Sequence, residues 1–309
     1  SPFALSCFNR ALKGRYDFLD GFVAPHSCDT IERMYHIWHS NKPSPFNHLI
    51  NVPHMMGPSS DAFYRKELEY FIARLEEFTG RKLDLEKLRS AIRLYNRRRT
   101  LLRELYDLRR ENPPRVSGTE ITKVLVAGMG IPAAEHIELV SAFIDEVKKR
   151  PAPAPDGLPC IFLWGNEIDD IAFVSLVEEC GAHVVMDDLC TGSRFFWQDV
   201  PETDDPVDAL ARRYLSTHCP RSLKPQAGNR SEDLENRFGY IREFISKWKA
   251  DGAIFYIVRY CDTCELEGPD LREYLTGLKL PVLMIEDDYS TSTIGQLRTR
   301  IQAFLEMIM

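Results

Sequence analysis

Residues 160–188 read CIFLWGNEIDDIAFVSLVEECGAHVVMDD. Two short apolar runs, at 160–164 and 183–186, enclose a segment at 167–180 that has the character of a helix. A short apolar run bounded by turn residues is typical of a buried strand, and a strand–helix–strand unit implies parallel pairing. This stretch therefore predicts a parallel sheet with helices packed against it.

The same alternation of strands and helices continues in both directions along the chain. Near the N-terminus, short strands at 18–24 and 48–52 flank a helix at 29–39. Towards the C-terminus, the predicted elements are helices at 206–217 and 234–249, a strand at 253–258, a helix at 270–278, a strand at 281–285 and a helix from about 293. The sequence therefore predicts an α/β protein.

A helical segment separates the two α/β regions. Apolar residues at helical spacing run from 68 to 78 and again from 85 to 108. Residues 117–120 (SGTE) then have the pattern of a capping box that opens a new helix. We place the division here, between an N-terminal domain at 1–116 that includes the helical segment and a C-terminal domain at 117–309.

Composition and charge limit the class of function. A chain of 309 residues is long enough for about two domains. Its 39 basic and 46 acidic residues give a net charge of −7, which argues against a nucleic-acid surface because phosphate binding requires a basic footprint. No stretch has the roughly 20 apolar residues of a spanning helix, and no secretory signal is visible. We expect a cytoplasmic protein that binds neither nucleic acid nor membrane.

The cysteines carry the most informative side-chain chemistry. They are too few to form the disulfide framework of a small cysteine-rich protein, and a chain of this length can build its own core, so we expect reduced thiols. Cys261 and Cys264 form a CxxC pair, which suits a redox dithiol or half of a zinc site. Thiolates also suit iron–sulfur clusters, although the spacing is not that of a compact ferredoxin. Spacing alone leaves these possibilities open. The eight cysteines are Cys7, Cys28, Cys160, Cys180, Cys190, Cys219, Cys261 and Cys264.

Polar residues follow most of the predicted strands. In parallel α/β sheets, ligands bind beyond the carboxyl ends of the strands, so we expect a functional site among these loops. Arg194 and Glu286 are candidates there for polar contacts. The loop residues are Cys28, Asn166-Glu167, Asp187-Asp188, Arg259-Tyr260-Cys261 and Glu286-Asp287-Asp288.

Four segments, in this order, resemble the 2-hydroxyacyl-CoA dehydratase and benzoyl-CoA reductase family. The likeness covers essentially the whole chain. It implies two Rossmann-like or flavodoxin-like domains with parallel sheets, in addition to the helical segment. The segments are CFNRALKGRYDFLDGFVAPHSCDTIERMYHIW (7–38), ELEYFIARLEEFTGRKLDLEKLRSAIRLYNRRRTLLREL (67–105), ECGAHVVMDDLCTGSRFF (179–196) and RYCDTCELEGPDLREYLTGLKLPVLMIEDDYSTSTIGQLRTRIQAFLEM (259–307).

The resemblance also implies a [4Fe-4S] cluster whose irons are held by Cys7, Cys28 and Cys261. Cys261 is preferred to Cys264 because the family cysteine is followed directly by an acidic residue, here Asp262. Three protein ligands leave one iron open, which inner-sphere chemistry requires. A double-cubane cluster that also uses further cysteines remains an alternative.

The activity implied by the resemblance is that of an iron–sulfur subunit of a 2-hydroxyacyl-CoA dehydratase. A separate ATP-dependent activator protein supplies a low-potential electron, which passes to a CoA thioester so that water is eliminated through a ketyl radical. The alternatives are a benzoyl-CoA reductase-type subunit acting on an aromatic acyl-CoA, a non-catalytic electron-relay subunit and a cluster-free binding module.

The resemblance implies, in addition, a dimer with a related or identical second subunit. Family members usually begin upstream of the position of Ser1, and this chain starts without Met. We therefore expect that an N-terminal part with substrate-facing residues is absent here.

Overall fold

The computed structural model describes residues 1–289 and 292–309, together with the backbone of residue 291. Its helices and strands confirm the predicted α/β class with parallel sheets. The strands are β1 (Gly21–Pro25), β2 (Phe46–Ile50), β3 (Cys160–Gly165), β4 (His183–Asp188), β5 (Gly252–Val258) and β6 (Val282–Asp287). The helices are α1 (Pro2–Leu12), α2 (Asp29–Asn41), α3 (Pro58–Thr79), α4 (Leu85–Asp107), α5 (Gly118–Gly130), α6 (Ala133–Lys149), α7 (Ile171–Glu179), α8 (Ser193–Phe196), α9 (Pro206–Leu215), α10 (Arg230–Trp248), α11 (Asp262–Gly277) and α12 (Ile294–Ile308).

The chain folds into two compact units, each built from distant parts of the sequence. The first unit consists of Ser1–Ile92, Val200–Pro225 and Val258–Glu265. The second unit consists of Arg93–Asp199, Gln226–Ile257 and Leu266–Met309. The domain division placed between 116 and 117 stays a prediction.

The second unit contains a four-stranded sheet in the order β4-β3-β5-β6. Strand β3 pairs in parallel with β4 on one side and with β5 on the other. All six residues of β3 and all seven of β5 are buried. Strands covered on both faces read as continuous apolar runs, which explains the CIFLW and AIFYIV patterns.

The capping box predicted at the start of α5 is present. The hydroxyl of Ser117 accepts a hydrogen bond from the N–H of Glu120 at 3.1 Å, and the Glu120 carboxylate accepts one from the N–H of Ser117 at 2.9 Å. The Glu178 carboxylate also accepts the N–H groups of Gly118 and Thr119, at 2.6 and 3.0 Å. Two carboxylates thus satisfy the donors at this helix N-terminus.

Three helices begin at other residues than predicted, and one of them is α10, which begins at Arg230 rather than 234. Helix α7 begins at Ile171 rather than 167, because the Asp170 side chain caps it by accepting the N–H of Ala172 at 2.9 Å. Helix α11 begins at Asp262 rather than 270. It contains Pro269 in its interior, where proline more often ends a helix.

The first unit contains a two-stranded parallel sheet that pairs β1 with β2. Such a small sheet depends on the helices packed around it. Tyr64 of α3 packs against Ala211 and Leu215 of α9, and Ile50 at the end of β2 lies against this cluster. The segment that carries α9 therefore holds α3 and β2 together.

No helix among the described residues is long and apolar enough to cross a membrane.

A buried histidine lies between two helices of the second unit. His136 of α6 is 1% exposed, and its Nε2 donates a hydrogen bond to the carbonyl of Val124 at 2.9 Å. Its Nδ1 has no hydrogen-bond partner among the described residues. Gly128 leaves room for the ring, since a Cβ at this position would lie 2.3 Å from it. Burial lowers the pKa of His136, because a second N–H would find no acceptor.

This histidine should make the second unit less stable in mild acid. The unfolded chain protonates it at its ordinary pKa near 6.5, whereas the folded chain resists protonation. The free energy of unfolding is therefore expected to fall as pH drops below about 6.5, with a slope of at most about 1.4 kcal/mol per pH unit from this group. Denaturation between pH 5 and 8 should show a weaker dependence in His136→Leu. The exposed His39→Gln serves as the control, and an unchanged slope in His136→Leu would contradict the assignment.

Candidate functional site

Cys28 lies at the carboxyl edge of the small sheet in the first unit. The register pairs Pro25 with Ile50, and the N–H of His26 donates to the carbonyl of Ile50 at 2.8 Å. Cys28 is the residue immediately before α2, and its carbonyl accepts the N–H of Ile31 at 3.2 Å. The N-terminus of a helix favours negative charge, so this position stabilises a thiolate.

Cys261 holds a comparable position before α11. Its carbonyl accepts the N–H of Glu265 at 2.9 Å, and its Sγ lies 3.5 Å from the hydroxyl of Thr263. The preceding Tyr260 has a φ of 64°, which is a strained value for a bulky side chain. The Glu265 carboxylate accepts the N–H of Tyr260 at 2.9 Å and so helps to hold this turn. The backbone thus presents Cys261 at a helix N-terminus.

The three predicted ligands lie in the same compact unit. Cys7, on α1, and Cys28 and Cys261 are all partly exposed. Cys264 is only 1% exposed, which is typical of an inert structural thiol. None of the eight cysteines forms a disulfide among the described residues. The assignment of Cys7, Cys28 and Cys261 as ligands stays a prediction.

The arrangement of thiols does not resemble a site for a single ion. Within the described part of the chain, no three His, Cys, Asp or Glu side chains are grouped so that they could hold one metal ion. In a cubane cluster each cysteine binds a different iron, so the thiolates need not converge on one point. The donor set consists of partly exposed thiols, two of which lie directly before helices.

Arg221 is a residue of this edge that sequence reasoning missed. Its Nη2 donates to the carbonyls of Val52 and Pro53, at 2.8 and 2.7 Å. The thiols of Cys219 and Cys28 interact with the guanidinium electrostatically, and burial lowers the pKa of Arg221. A positive charge that interacts with thiols favours their negatively charged form. No sequence pattern predicts this role, because Arg221 lies in an irregular segment after α9.

A second polar cluster lies at the carboxyl ends of β3 and β4 in the second unit. The carboxylate of Asp188 accepts two hydrogen bonds from Arg194, at 3.1 and 2.8 Å, and a third from the hydroxyl of Tyr240 at 3.0 Å. Arg194 also donates to the carbonyl of Gly165 at 2.7 Å, and its Nη1 lies 3.5 Å from the Sγ of Cys190. Arg194 therefore joins the carboxyl ends of β3 and β4, and its predicted polar contacts in a functional site stay a prediction.

Asp187, beside this pair, is equally enclosed. The hydroxyl of Tyr106 donates to its carboxylate at 2.5 Å, the N–H of Ser193 donates at 2.8 Å, and the Arg109 guanidinium lies 3.7 Å away. Burial raises the pKa of Asp187, and Arg109 opposes that rise. By contrast Glu286, the other predicted polar contact, is exposed on β6. Asp187 is thus a structural carboxylate that fixes α8 to β4.

A cavity of about 430 Å³ lies beside the carboxyl end of β6, lined mainly by α7 and α12. Its polar groups already bind one another. The Asp287 carboxylate accepts the hydroxyls of Tyr256 and Thr293, at 2.9 and 3.0 Å. Arg298, at the rim, pairs with Glu179 at 2.7 Å. The cavity is therefore a weaker candidate for a functional site than the thiol edge.

The buried ion pair of Asp188 and Arg194 gives a test of the second cluster. Arg194→Met would leave the Asp188 carboxylate buried without its cation, and we expect a loss of about 3–5 kcal/mol in the free energy of unfolding. The same substitution at Arg33, whose ion pair with Asp29 is exposed, should cost about 0–1 kcal/mol. Denaturant titration measures both values. Equal losses of unfolding free energy in the two variants would show that breaking the buried ion pair costs no more than breaking an exposed one.

Comparison with known proteins places the chain in a family. The family model described as 2-hydroxyglutaryl-CoA dehydratase, D-component, matches residues 1–308. A protein of Escherichia coli (strain K12) named as a dehydratase subunit, YjiM, is 31% identical over 94% of this chain and 75% of its own length. The (R)-phenyllactyl-CoA dehydratase beta subunit of Clostridium sporogenes is 27% identical, over 96% of this chain and 78% of its own. A benzoyl-CoA reductase subunit of Thauera aromatica is 26% identical, over 98% and 78%. The resemblance seen in the sequence is thereby confirmed, and the chain belongs to the 2-hydroxyglutaryl-CoA dehydratase D-component family.

Proposed function

We propose that this chain is the iron–sulfur subunit of a 2-hydroxyacyl-CoA dehydratase. The observation that carries the proposal is the position of Cys7, Cys28 and Cys261 in one compact unit, two of them directly before helices. When bound, a [4Fe-4S] cluster would supply single-electron transfer at low potential. The names of the relatives, several of which are dehydratase subunits, support the same class of reaction.

The residues of this chain would hold the cluster and set its surroundings. Cys7, Cys28 and Cys261 would be the ligands, and the N-termini of α2 and α11 would offset part of the negative charge of the thiolates. Three protein ligands leave one iron for a substrate oxygen, as activation of a thioester carbonyl requires. Tyr260, in its strained turn, would fix the approach of Cys261.

The proposal includes partners. Three relatives are named as beta subunits of dehydratases, which supports a second subunit for this chain as well. An acyl-CoA would be the substrate, and ATP would act only through a separate activator protein that delivers the electron.

A benzoyl-CoA reductase-type subunit is the second candidate. The benzoyl-CoA reductase subunit of Thauera aromatica is 26% identical to this chain and the phenyllactyl-CoA dehydratase subunit 27%, so likeness alone barely separates them. Both candidates, and a non-catalytic electron-relay subunit, require the same cluster. A substrate assay is therefore what distinguishes them.

Iron content tests the ligand assignment. After anaerobic reconstitution, the wild-type chain should bind about four irons with matching sulfide and show the EPR signal of a reduced cluster. Cys7→Ala, Cys28→Ala and Cys261→Ala should each lose most of this iron. Cys180→Ala is the matched control, because its thiol has only a long contact, of 4.0 Å, to the carbonyl of Arg298. Full iron in all three ligand variants would refute the assignment, and about eight irons in the wild type would indicate a double cubane instead.

Turnover tests the reaction. Assembled with its partner subunit, the activator, ATP and a reductant, the wild-type chain should support elimination of water from a 2-hydroxyacyl-CoA. Cys28→Ala should lower the rate by more than about 100-fold, since even groups that only support a metal ligand commonly matter 10–100-fold. Cys264→Ser should have a much smaller effect. Reduction of benzoyl-CoA without any dehydration would favour the second candidate.

A further inference from the structure

The segment that carries Cys219 and Arg221 is attached to the residues that follow β2. An isolated parallel bridge joins Met55 to Leu223. The N–H of Leu223 donates to the carbonyl of His54 at 2.7 Å, and the carbonyl of Leu223 accepts the N–H of Met56 at 2.9 Å. The His54 ring in turn donates from Nδ1 to the carbonyl of Arg221 at 3.0 Å. The backbone therefore holds Arg221 against the carboxyl edge of the small sheet.

The Arg221 side chain is enclosed but only partly satisfied. Its Nη2 binds the carbonyls of Val52 and Pro53, while its buried Nε has no hydrogen-bond partner among the described residues. Within that part of the chain, no carboxylate forms an ion pair with it. A partly buried cation that meets only carbonyl groups is costly unless negative charge lies nearby.

The groups that could supply this charge are two thiols. Residues 26–28 lie next to the residues after β2 because the parallel register pairs Pro25 with Ile50. Cys28 and Cys219 both interact with the guanidinium electrostatically. The third neighbour, Tyr64, stays neutral, since burial raises the pKa of its hydroxyl to about 12. A cluster bound through Cys28 would bring the missing negative charge.

We propose that Arg221 is a positioning residue that sets the reduction potential of the cluster bound through Cys28. The inference rests on the proposed function. Reduction adds one electron, taken from a low-potential one-electron donor, and so makes the cluster more negative by one charge. A fixed cation in a partly buried site stabilises that charge more than water-exposed groups do. Arg221 therefore makes the cluster easier to reduce.

The midpoint potential of the reconstituted chain tests this inference. Arg221→Gln removes the charge, and we expect the same iron and sulfide content with a clearly more negative potential in an EPR-monitored redox titration. Arg221→Lys keeps a positive charge and should stay closer to the wild type. Arg212→Gln, an exposed arginine of the same unit, is the control and should leave the potential unchanged.

Each outcome is informative. A potential in Arg221→Gln equal to that of the wild type overturns the inference while the proposed function stands. If Arg221→Gln folds poorly, Arg221→Met removes the charge with an apolar side chain, and the same negative shift is expected. A shift equally large in Arg221→Lys would show that shape rather than charge matters, which also contradicts the inference. A wild-type chain that binds no iron overturns the proposed function and the inference together.

Discussion

The parallel pairing of fully buried strands is the constraint on which the rest of the second unit depends. Strand β3 lies between β4 and β5, and each of its side chains is covered. Polar chemistry can then appear only where the strands end. Gly165, the last residue of β3, shows how tight this arrangement is, since a Cβ there would lie 1.9 Å from the carbonyl oxygen of Tyr256. At this point only glycine, with its φ of 157°, allows the backbones to approach.

Buried polar groups at the strand ends of the second unit bind one another. The Asp188 carboxylate accepts hydrogen bonds from Arg194, and the Asp187 carboxylate accepts them from Tyr106 and Ser193. An unpaired charge in this position would be costly, so each carboxylate recruits donors from neighbouring loops. The first unit differs. There the small sheet leaves its edge thiols partly exposed and gives Arg221 only carbonyl partners. This contrast is the reason for proposing a ligand in the first unit.

Much of the fold could be predicted from the sequence because apolar periodicity reports burial directly. The strands at 160–164, 183–186 and 253–258 lie within a residue or two of the observed bounds. The predicted start of α11 was wrong because proline usually ends a helix, whereas Pro269 lies in the interior of this one. Arg221 could not be found, because its role depends on a contact between residues about 170 positions apart that no local pattern encodes. The alternation of β6 turns Ile285 and Asp287 inward and Glu286 outward, and the role of Glu286 in polar contacts stays a prediction.

The division of the first unit into three stretches of sequence has a consequence for biosynthesis. Chains emerge from the ribosome N-terminus first, and compact units fold once all their parts are available. Here Cys28 emerges before Arg221 and Cys261, which belong to the second and third stretches of the same unit. The first unit cannot fold completely until residue 265, the end of its third stretch, has been synthesised. Until then, Cys7 and Cys28 belong to a unit that is not yet complete.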